Sequence, residues 1–359
     1  MPEPDALRAV LSRFAVDSDD RPPITPFGNG HIHSTYLVGT VPPTVLQRIN
    51  RAVFPRPDLP TENAARVTEH LRKRIAAEGG DPLRETLTLI PDRLSGLPYV
   101  VCDGEFYRLT VFVPGAVSHE VADPDALYRA AKTYGRFLRR LSDFPANSLS
   151  EVLPGFHDTR ARLAALREAI GRDPVGRVAS VGPEIDFVLA REGDCGVIVD
   201  GLASGEIPVR VTHNDTKLNN FLFDEKTGEC IALIDLDTVM PGSLLYDYGD
   251  ALRFAASNAP EDETDLSRVF FREEKIAAFT RGLLAECGDE LTPRERALLP
   301  FSIKLLTLEC GMRFLTDYIA GDVYFKTDYP AHNLDRARNQ FALVRDVEPK
   351  LPALARLTE

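Results

Sequence analysis

The sequence predicts an α+β protein built in two parts, and three observations carry that prediction. Up to residue 111, short β-branched and aromatic runs alternate with Gly and Pro turns around one amphipathic helix. From Asp125 onward the apolar residues recur at helical spacing. A single hairpin, inside residues 209–250, interrupts the helical part. Strands followed by helices, without regular alternation, rule against a doubly wound sheet.

The elements follow in order. Leu7, Val10, Leu11 and Phe14 predict a short helix over 3–15, packed on the outside of the first part. Ile24 to Val38 reads as strand, glycine turn, strand, with Gly28 and Gly30 in the turn. Val45 to Ile49 continues the sheet. Residues 61–78 form a helix with Thr61 as N-cap and Ala64, Val67, Leu71 and Ile75 on its apolar face. Tyr99–Cys102 and Glu105–Val111 flank Asp103-Gly104, a strong hairpin signal. Val113-Pro114-Gly115 breaks the pattern, which divides the chain into residues 1–111 and 112–359. In the second part, Leu127, Ala130, Ala131, Tyr134, Phe137, Leu138 and Leu141 make one helical core face. Helices over 160–170 and 182–191 precede the hairpin; another follows an acidic entry at 261–265, with Phe270 and Phe271 both inward. Thr292-Pro293 starts a long apolar helix or helix pair reaching residue 320, and a terminal helix closes the chain.

Composition narrows the function. With 44% hydrophobic and 27% charged residues, the 359-residue chain has the make-up of a globular enzyme. A net charge of −12 argues against nucleic acid, whose binding depends on neutralising phosphates. No apolar run is long enough to span a membrane, and Met-Pro-Glu-Pro-Asp is unlike a signal peptide, so a cytoplasmic location is expected. The five cysteines are scattered without a C-x-x-C pair and read as buried thiols.

The chemistry concentrates in residues 209–250. An apolar strand, Val209 to Thr212, leads into His213-Asn214-Asp215-Thr216-Lys217-Leu218-Asn219-Asn220. Phe221-Leu222-Phe223, a turn at 224–228 and a second strand, Cys230 to Ile234, end at Asp235-Leu236-Asp237. Phosphoryl transfer asks a protein for positioning and charge neutralisation, with one carboxylate to take a proton and oxygen ligands for Mg²⁺. Here His213-x-Asp215-x-x-x-x-Asn220, with Lys217 two residues after the acid and Asp235 after the next strand, supplies that inventory.

This stretch resembles the aminoglycoside phosphotransferase and choline kinase superfamily. HNDTKLNN and IDLDTVMPGSLLYDYGDALR are most similar to its N-acetylhexosamine 1-kinase group. The resemblance implies a bilobal protein-kinase-like fold, with a small antiparallel-sheet N-lobe that covers a nucleotide and a larger, mainly helical C-lobe. It implies ATP and Mg²⁺ as cofactors and a small-molecule acceptor, an amino sugar, phosphorylated at its anomeric hydroxyl. Asp215 then takes the place of the catalytic base, Lys217 that of a lysine directed at the γ-phosphate, and Asn220 and Asp235 those of the metal ligands. Asp237 joins them as a second metal contact. Gly28 and Gly30 stand in the loop over the phosphates, although His33 replaces a third glycine. Arg48 corresponds to the phosphate-holding cation or is a surface strand residue, and Glu62, ahead of Glu69, is its partner. Arg313 and Tyr324 match the sugar-holding positions, with Phe254 as a ring contact. Asp247 and Asp250 brace the loop. Alternative acceptors are choline or ethanolamine, for which the absence of Trp leaves no tryptophan box, an aminoglycoside, or another sugar. A nucleotide-binding pseudokinase is disfavoured by the intact Asp215, Asn220 and Asp235 set.

Overall fold

The computed structural model describes residues 4–17, 21–28, 32–121 and 123–359. In chain order the elements begin α1 (Pro4–Leu11), β1 (Ile24–Pro26), β2 (Ser34–Val38), β3 (Thr44–Arg48), α2 (Asp58–Ala77), β4 (Leu89–Ile90), β5 (Val100–Cys102) and β6 (Glu105–Val111). Next come β7 (Ala116–Val117), α3 (Pro124–Arg140), α4 (Thr159–Arg172), α5 (Gly182–Leu189), α6 (Val197–Ser204) and β8 (Arg210–Thr212). The hairpin β9 (Phe221–Asp224) and β10 (Cys230–Leu233) precedes β11 (Met240–Gly242) and α7 (Leu244–Ala255). The chain ends with α8 (Glu273–Cys287), α9 (Pro293–Ala320), α10 (His332–Val347) and α11 (Leu351–Ala355). None of the described helices is long and apolar enough to cross a membrane.

The chain packs as two units. The first takes Met1–Ser118, Arg140–Val152 and Phe221–Met240; the second takes His119–Arg139, Leu153–Asn220 and Pro241–Glu359. Segments 112–118, 140–152 and 221–240, placed in the second part by a division at 111/112, thus pack with the first.

In the first unit, β1, β2, β3, β6 and β4 lie side by side, with β5 also on β6, and every pairing is antiparallel. The β5–β6 hairpin is closed by Asp103 at φ 50° and Gly104 at φ 78°, the double left-handed turn that Asp-Gly favours. Pleat alternation puts Tyr36, Leu46 and Leu109 on one face, in register. Leu7, Val10, Leu11 and Phe14 pack on that face as part of its core. The N-terminal helix thus lies on the sheet by its apolar side, with Asp5, Ala6 and Ala9 exposed, as its spacing predicts.

Helix α2 gathers the other segments of this unit. Asn63, buried within it, donates to Ser150 O at 2.7 Å and to Val239 O at 2.8 Å. Arg140 joins Glu78 and Glu85, while Val152 packs on Ile49, Phe54 and Phe106. Thr61 is not its N-cap: the helix starts at Asp58, and the Thr61 hydroxyl donates back to Pro57 O at 2.9 Å. The pattern located the helix but missed its first turn, because Pro57 and Pro60 read as loop residues while a proline fits a helix start.

The second unit is helical. Leu308, Met312, Leu315 and Ile319 of α9 meet Leu163 and Leu166 of α4 and Phe341 and Val344 of α10 in one core. Helix α9 is a single helix of 28 residues. A capping box begins it, with Glu295 N on Thr292 Oγ1 at 3.1 Å and Thr292 N on Glu295 Oε2 at 2.9 Å. Residues 261–265 are loop, and α8 starts at Glu273; Phe271 is buried but Phe270 is 36% exposed. Helix α7 crosses α9 at Gly249, where a Cβ would run into the Ser302 carbonyl. Gly249→Ala should therefore lower stability by about 1–3 kcal/mol despite the higher helix propensity of alanine. Urea unfolding measures this, and an unchanged midpoint would contradict so close an approach.

Candidate active site

The second unit holds the loop 213–220 from behind by one carboxylate. Asp247, in the first turn of α7, is fully buried. It accepts from His213 N at 2.8 Å, Asn214 N at 2.6 Å and the Tyr134 hydroxyl at 2.7 Å. Its own carbonyl accepts from Thr216 Oγ1 at 2.7 Å. Burial raises the Asp247 pKa above the usual carboxylate range, against the pull of His213 and these hydrogen bonds. Asn214 adopts φ 62°, a left-handed turn just after these two N–H groups that redirects the chain into Asp215.

On the loop itself, three predicted residues come together. Lys217 Nζ lies 2.8 Å from Asp215 Oδ1. Asn220 Nδ2 donates to Asp215 Oδ2 at 3.1 Å and to Asp215 O at 2.8 Å. With its nitrogen so committed, the Asn220 carbonyl oxygen is the group able to take a cation. Burial alone would lower the Lys217 pKa; the charge and hydrogen bond of Asp215 outweigh it and hold the ammonium above its ordinary value. Asp250 lies within this field: burial opposes its ionisation, but Arg253, His157 and Lys217 hold its carboxyl below the usual range.

The first unit carries the strand-end acids, and the structure separates their roles. Asp235 is exposed and sits at φ 58°, a left-handed conformation uncommon for a non-glycine residue. Asp237 is buried, with both oxygens engaged. Arg108 forks onto them, its Nη2 3.0 Å from Oδ2, and His33 Nε2 lies 2.7 Å from Oδ2. Asn50 N donates to His33 Nδ1 at 3.1 Å, so the ring proton belongs on Nε2, facing Asp237. Burial would raise the Asp237 pKa, yet Arg108 and His33 depress it strongly. Asp237 thus serves as an internal counter-ion, and its expected metal contact is replaced by these two partners. Among the described residues no three His, Cys, Asp or Glu side chains cluster as a metal cage. Mg²⁺ held by one or two protein oxygens together with substrate phosphates requires none.

The cation beside these acids is Arg108, where the sequence pointed to Arg48. In the β3–β6 register Gln47 faces Arg108 and Arg48 faces Tyr107, so the two arginines lie on opposite faces of the sheet. Arg108 Nε donates to Gln47 Oε1 at 2.8 Å. Arg48 instead lies 3.8 Å from Glu105 and lines a cavity of about 380 Å³ with Ser34 and Arg51. Glu62 accepts from the Tyr99 hydroxyl at 3.5 Å, and Glu69 pairs with Lys73; neither is paired with Arg48. Gly28 lies two residues after β1 at φ 77°, and Gly30 lies outside the described residues. Arg108 had a signal in the sequence, a lone arginine within the apolar run Glu105–Val111.

In the second unit Arg313 lies 5.9 Å from the Tyr324 ring centroid. Its other ring neighbours are Phe156 at 5.8 Å and Phe325 at 5.5 Å; Phe254, on the last turn of α7 and 44% exposed, is not among them. Phe156 and Phe325 are aromatic residues in loop sequences, and the sequence singles out neither as a ring contact.

The family model described as "phosphotransferase enzyme family" (APH) matches residues 23–286, well over half of the chain and including both acid-bearing stretches. The chain belongs to this phosphotransferase family. Solved structures with the same protein-kinase-like fold include an aminoglycoside phosphotransferase from Alicyclobacillus acidocaldarius, similar at TM-score 0.62 and 15% identity over 98% of this chain and 96% of that one. A microcompartment-associated aminopropanol kinase is similar at 0.59 and 14%, over 98% and 99%. An amicoumacin kinase in complex with AMP-PNP, Ca²⁺ and Ami is similar at 0.60 and 12%, over 97% and 96%. At these identities the likeness speaks for the fold.

If Asp247 holds the phosphotransferase loop, graded substitutions should separate its bonds. Tyr134→Phe removes one donor and should cost about 1 kcal/mol. Asp247→Ala leaves two buried backbone N–H groups and a hydroxyl without an acceptor, and should cost about 3–5 kcal/mol. Thermal and urea melts read both, and equal losses would contradict the arrangement.

Proposed function

We propose that this phosphotransferase is an ATP- and Mg²⁺-dependent small-molecule kinase that phosphorylates an N-acetylhexosamine at its anomeric hydroxyl. The observation that carries the kinase reading is the Lys217–Asp215–Asn220 cluster on a loop fixed by Asp247. Asp215 accepts the proton of the acceptor hydroxyl as its oxygen forms a bond to the γ-phosphorus of ATP and the bond to ADP breaks. Lys217 keeps a positive charge beside that carboxylate and offers N–H donors to phosphate oxygens. The carbonyl of Asn220, on the loop of the second unit, and the exposed carboxylate of Asp235, in the first, are each the kind of oxygen a hard divalent cation takes, and such a cation when bound neutralises phosphate charge. Asp237 holds Arg108, a fixed charge that also acts on Asp235.

The acceptor reading rests on the resemblance of residues 209–254 and 311–325, and on Arg313 and Tyr324 lying together. A guanidinium and a phenol suit a ring bearing hydroxyl and amide groups. An amino alcohol or aminoglycoside brings positive charge, and Arg313 opposes that.

Asp215→Asn should lower kcat by roughly a hundredfold or more while leaving ATP affinity in Mg²⁺ largely intact. Turnover near that of the unaltered enzyme would refute Asp215 as the base.

With N-acetylglucosamine or N-acetylgalactosamine and ATP, phosphorus NMR should show a product phosphate coupled to the C1 proton, with choline and kanamycin-like compounds inert. A phosphate at C6, or turnover with cationic acceptors alone, would sink the sugar 1-kinase reading and leave the phosphotransferase site standing.

A further inference from the structure

A neutral acceptor gives Arg313 a partner and leaves Arg162 without a role. We propose that Arg162 and Arg313 form an oxyanion subsite in the helical unit, which takes a carboxylate or phosphate group carried on a sugar-like acceptor. The inference rests on the reading that Arg313 and Tyr324 face the acceptor, and it adds a charged acceptor class to that site.

The two guanidinium groups come from different helices and converge on one residue. Arg162, on α4, donates from Nη2 to Phe156 O at 2.8 Å. Arg313, on α9, has its Cζ 5.8 Å from the Phe156 ring centroid. Neither has a carboxylate within ion-pair distance among the described residues. The Nε–H of Arg162 is buried and meets no acceptor. A buried donor left unpaired costs about 1–3 kcal/mol, so its persistence points to a partner that arrives with a ligand.

The acids nearby are already committed. Glu309 gives Oε1 to His157 Nδ1 at 2.9 Å and Oε2 to the Thr159 hydroxyl at 2.7 Å. Asp158 caps α4 by accepting from Ala161 N at 2.9 Å. His157, only 8% exposed, also has no partner for its buried Nε2. Burial, and after it the charge of Arg313, lowers the Arg162 pKa against the opposite pull of Glu309, so Arg162 lies within the field of Arg313. An oxyanion between them relieves the repulsion and accepts from both forks. Phe156, Phe325 and the 72% exposed Tyr324 supply ring faces and a phenol beside that charge.

The test is calorimetric binding to the full chain without nucleotide, using galactose, galacturonate, galactose 6-phosphate and inorganic phosphate. At least one acidic sugar should bind about tenfold or more tightly than galactose. Whichever is preferred identifies the group as carboxylate or phosphate. Arg162→Gln should bring that preference to within about twofold, and Arg162→Lys, which keeps the charge without the fork, should retain part of it. Circular dichroism melts verify that the variants fold, and the unaltered protein's own preference does not depend on them. Equal affinity for galactose and both acidic sugars overturns the proposal, as does a preference that survives Arg162→Gln. Inorganic phosphate binding as tightly as the sugar phosphate overturns the acceptor-borne part. An acid preference in a protein inert toward N-acetylhexosamines sinks the function proposed above and sustains this subsite.

Discussion

One buried carboxylate, Asp247, holds the geometry of the helical unit's loop. A carboxylate removed from water loses several kcal/mol of solvation, and among the described residues no arginine or lysine pairs with it. Three hydrogen bonds offset that loss, and two come from consecutive backbone N–H groups, His213 and Asn214. Those donors fix backbone, which is what a residue two positions further, Asp215, needs for its placement. The arrangement is only as rigid as the seat of α7, and Gly249 explains that seat by letting the helix approach the α9 backbone without a side chain between them. A glycine that is poor for helix propensity is thereby useful for the site.

The first unit meets a related problem with the opposite means. Asp237 is buried too, but its partners are a guanidinium and an imidazole, so it acts by charge where Asp247 acts by backbone hydrogen bonds. Breaking such a pair strands a buried charge, the most costly outcome available to a folded chain. His33 comes from just after the glycine-bearing turn, Arg108 from β6 and Asp237 from the segment after β10, so the pair fastens three distant segments of this unit. Asp235, two residues earlier, stays exposed because the left-handed turn at its own backbone separates it from the strand. In an extended chain, residues two apart share a face, and on that rule Asp235 and Asp237 looked equivalent. The left-handed Asp235 and the 3-10 turn Leu236–Thr238 after it undo the rule.

What the sequence made legible was local. The Asp-Gly hairpin, the Thr292-Pro293 helix start and the core face of α3 are each written in a few adjacent residues, and each stands as read. The Asp215, Lys217, Asn220 cluster belongs to the same kind, since eight consecutive residues contain it. What failed depended on pairing across the chain. Choosing between Arg48 and Arg108 requires the β3–β6 register, and no periodicity within one strand reports it. The membership of 140–152 in the first unit rests on Asn63, Arg140 and Val152, three contacts of long sequence separation. The N-terminal helix was visible by its spacing, whereas the surface it covers was not.

The acceptor side lies at the far end of that scale. Its candidate groups come from α4, α9 and the segment after α9, and each looks alone like an ordinary surface arginine or tyrosine. Their character emerges only when counter-charges are assigned, because an arginine stands out only once the acids around it prove to be engaged elsewhere. The chain as a whole carries −12, so at long range it repels an anionic ligand. That repulsion is screened beyond about 8 Å at physiological ionic strength, whereas a half-buried fork acts at contact distance. Two guanidinium groups without an ion-pair contact among the described residues can therefore select an anion locally while the global field disfavours it. Net charge argues against nucleic acid with its many phosphates, but it does not weigh against a small acceptor with a single acidic group.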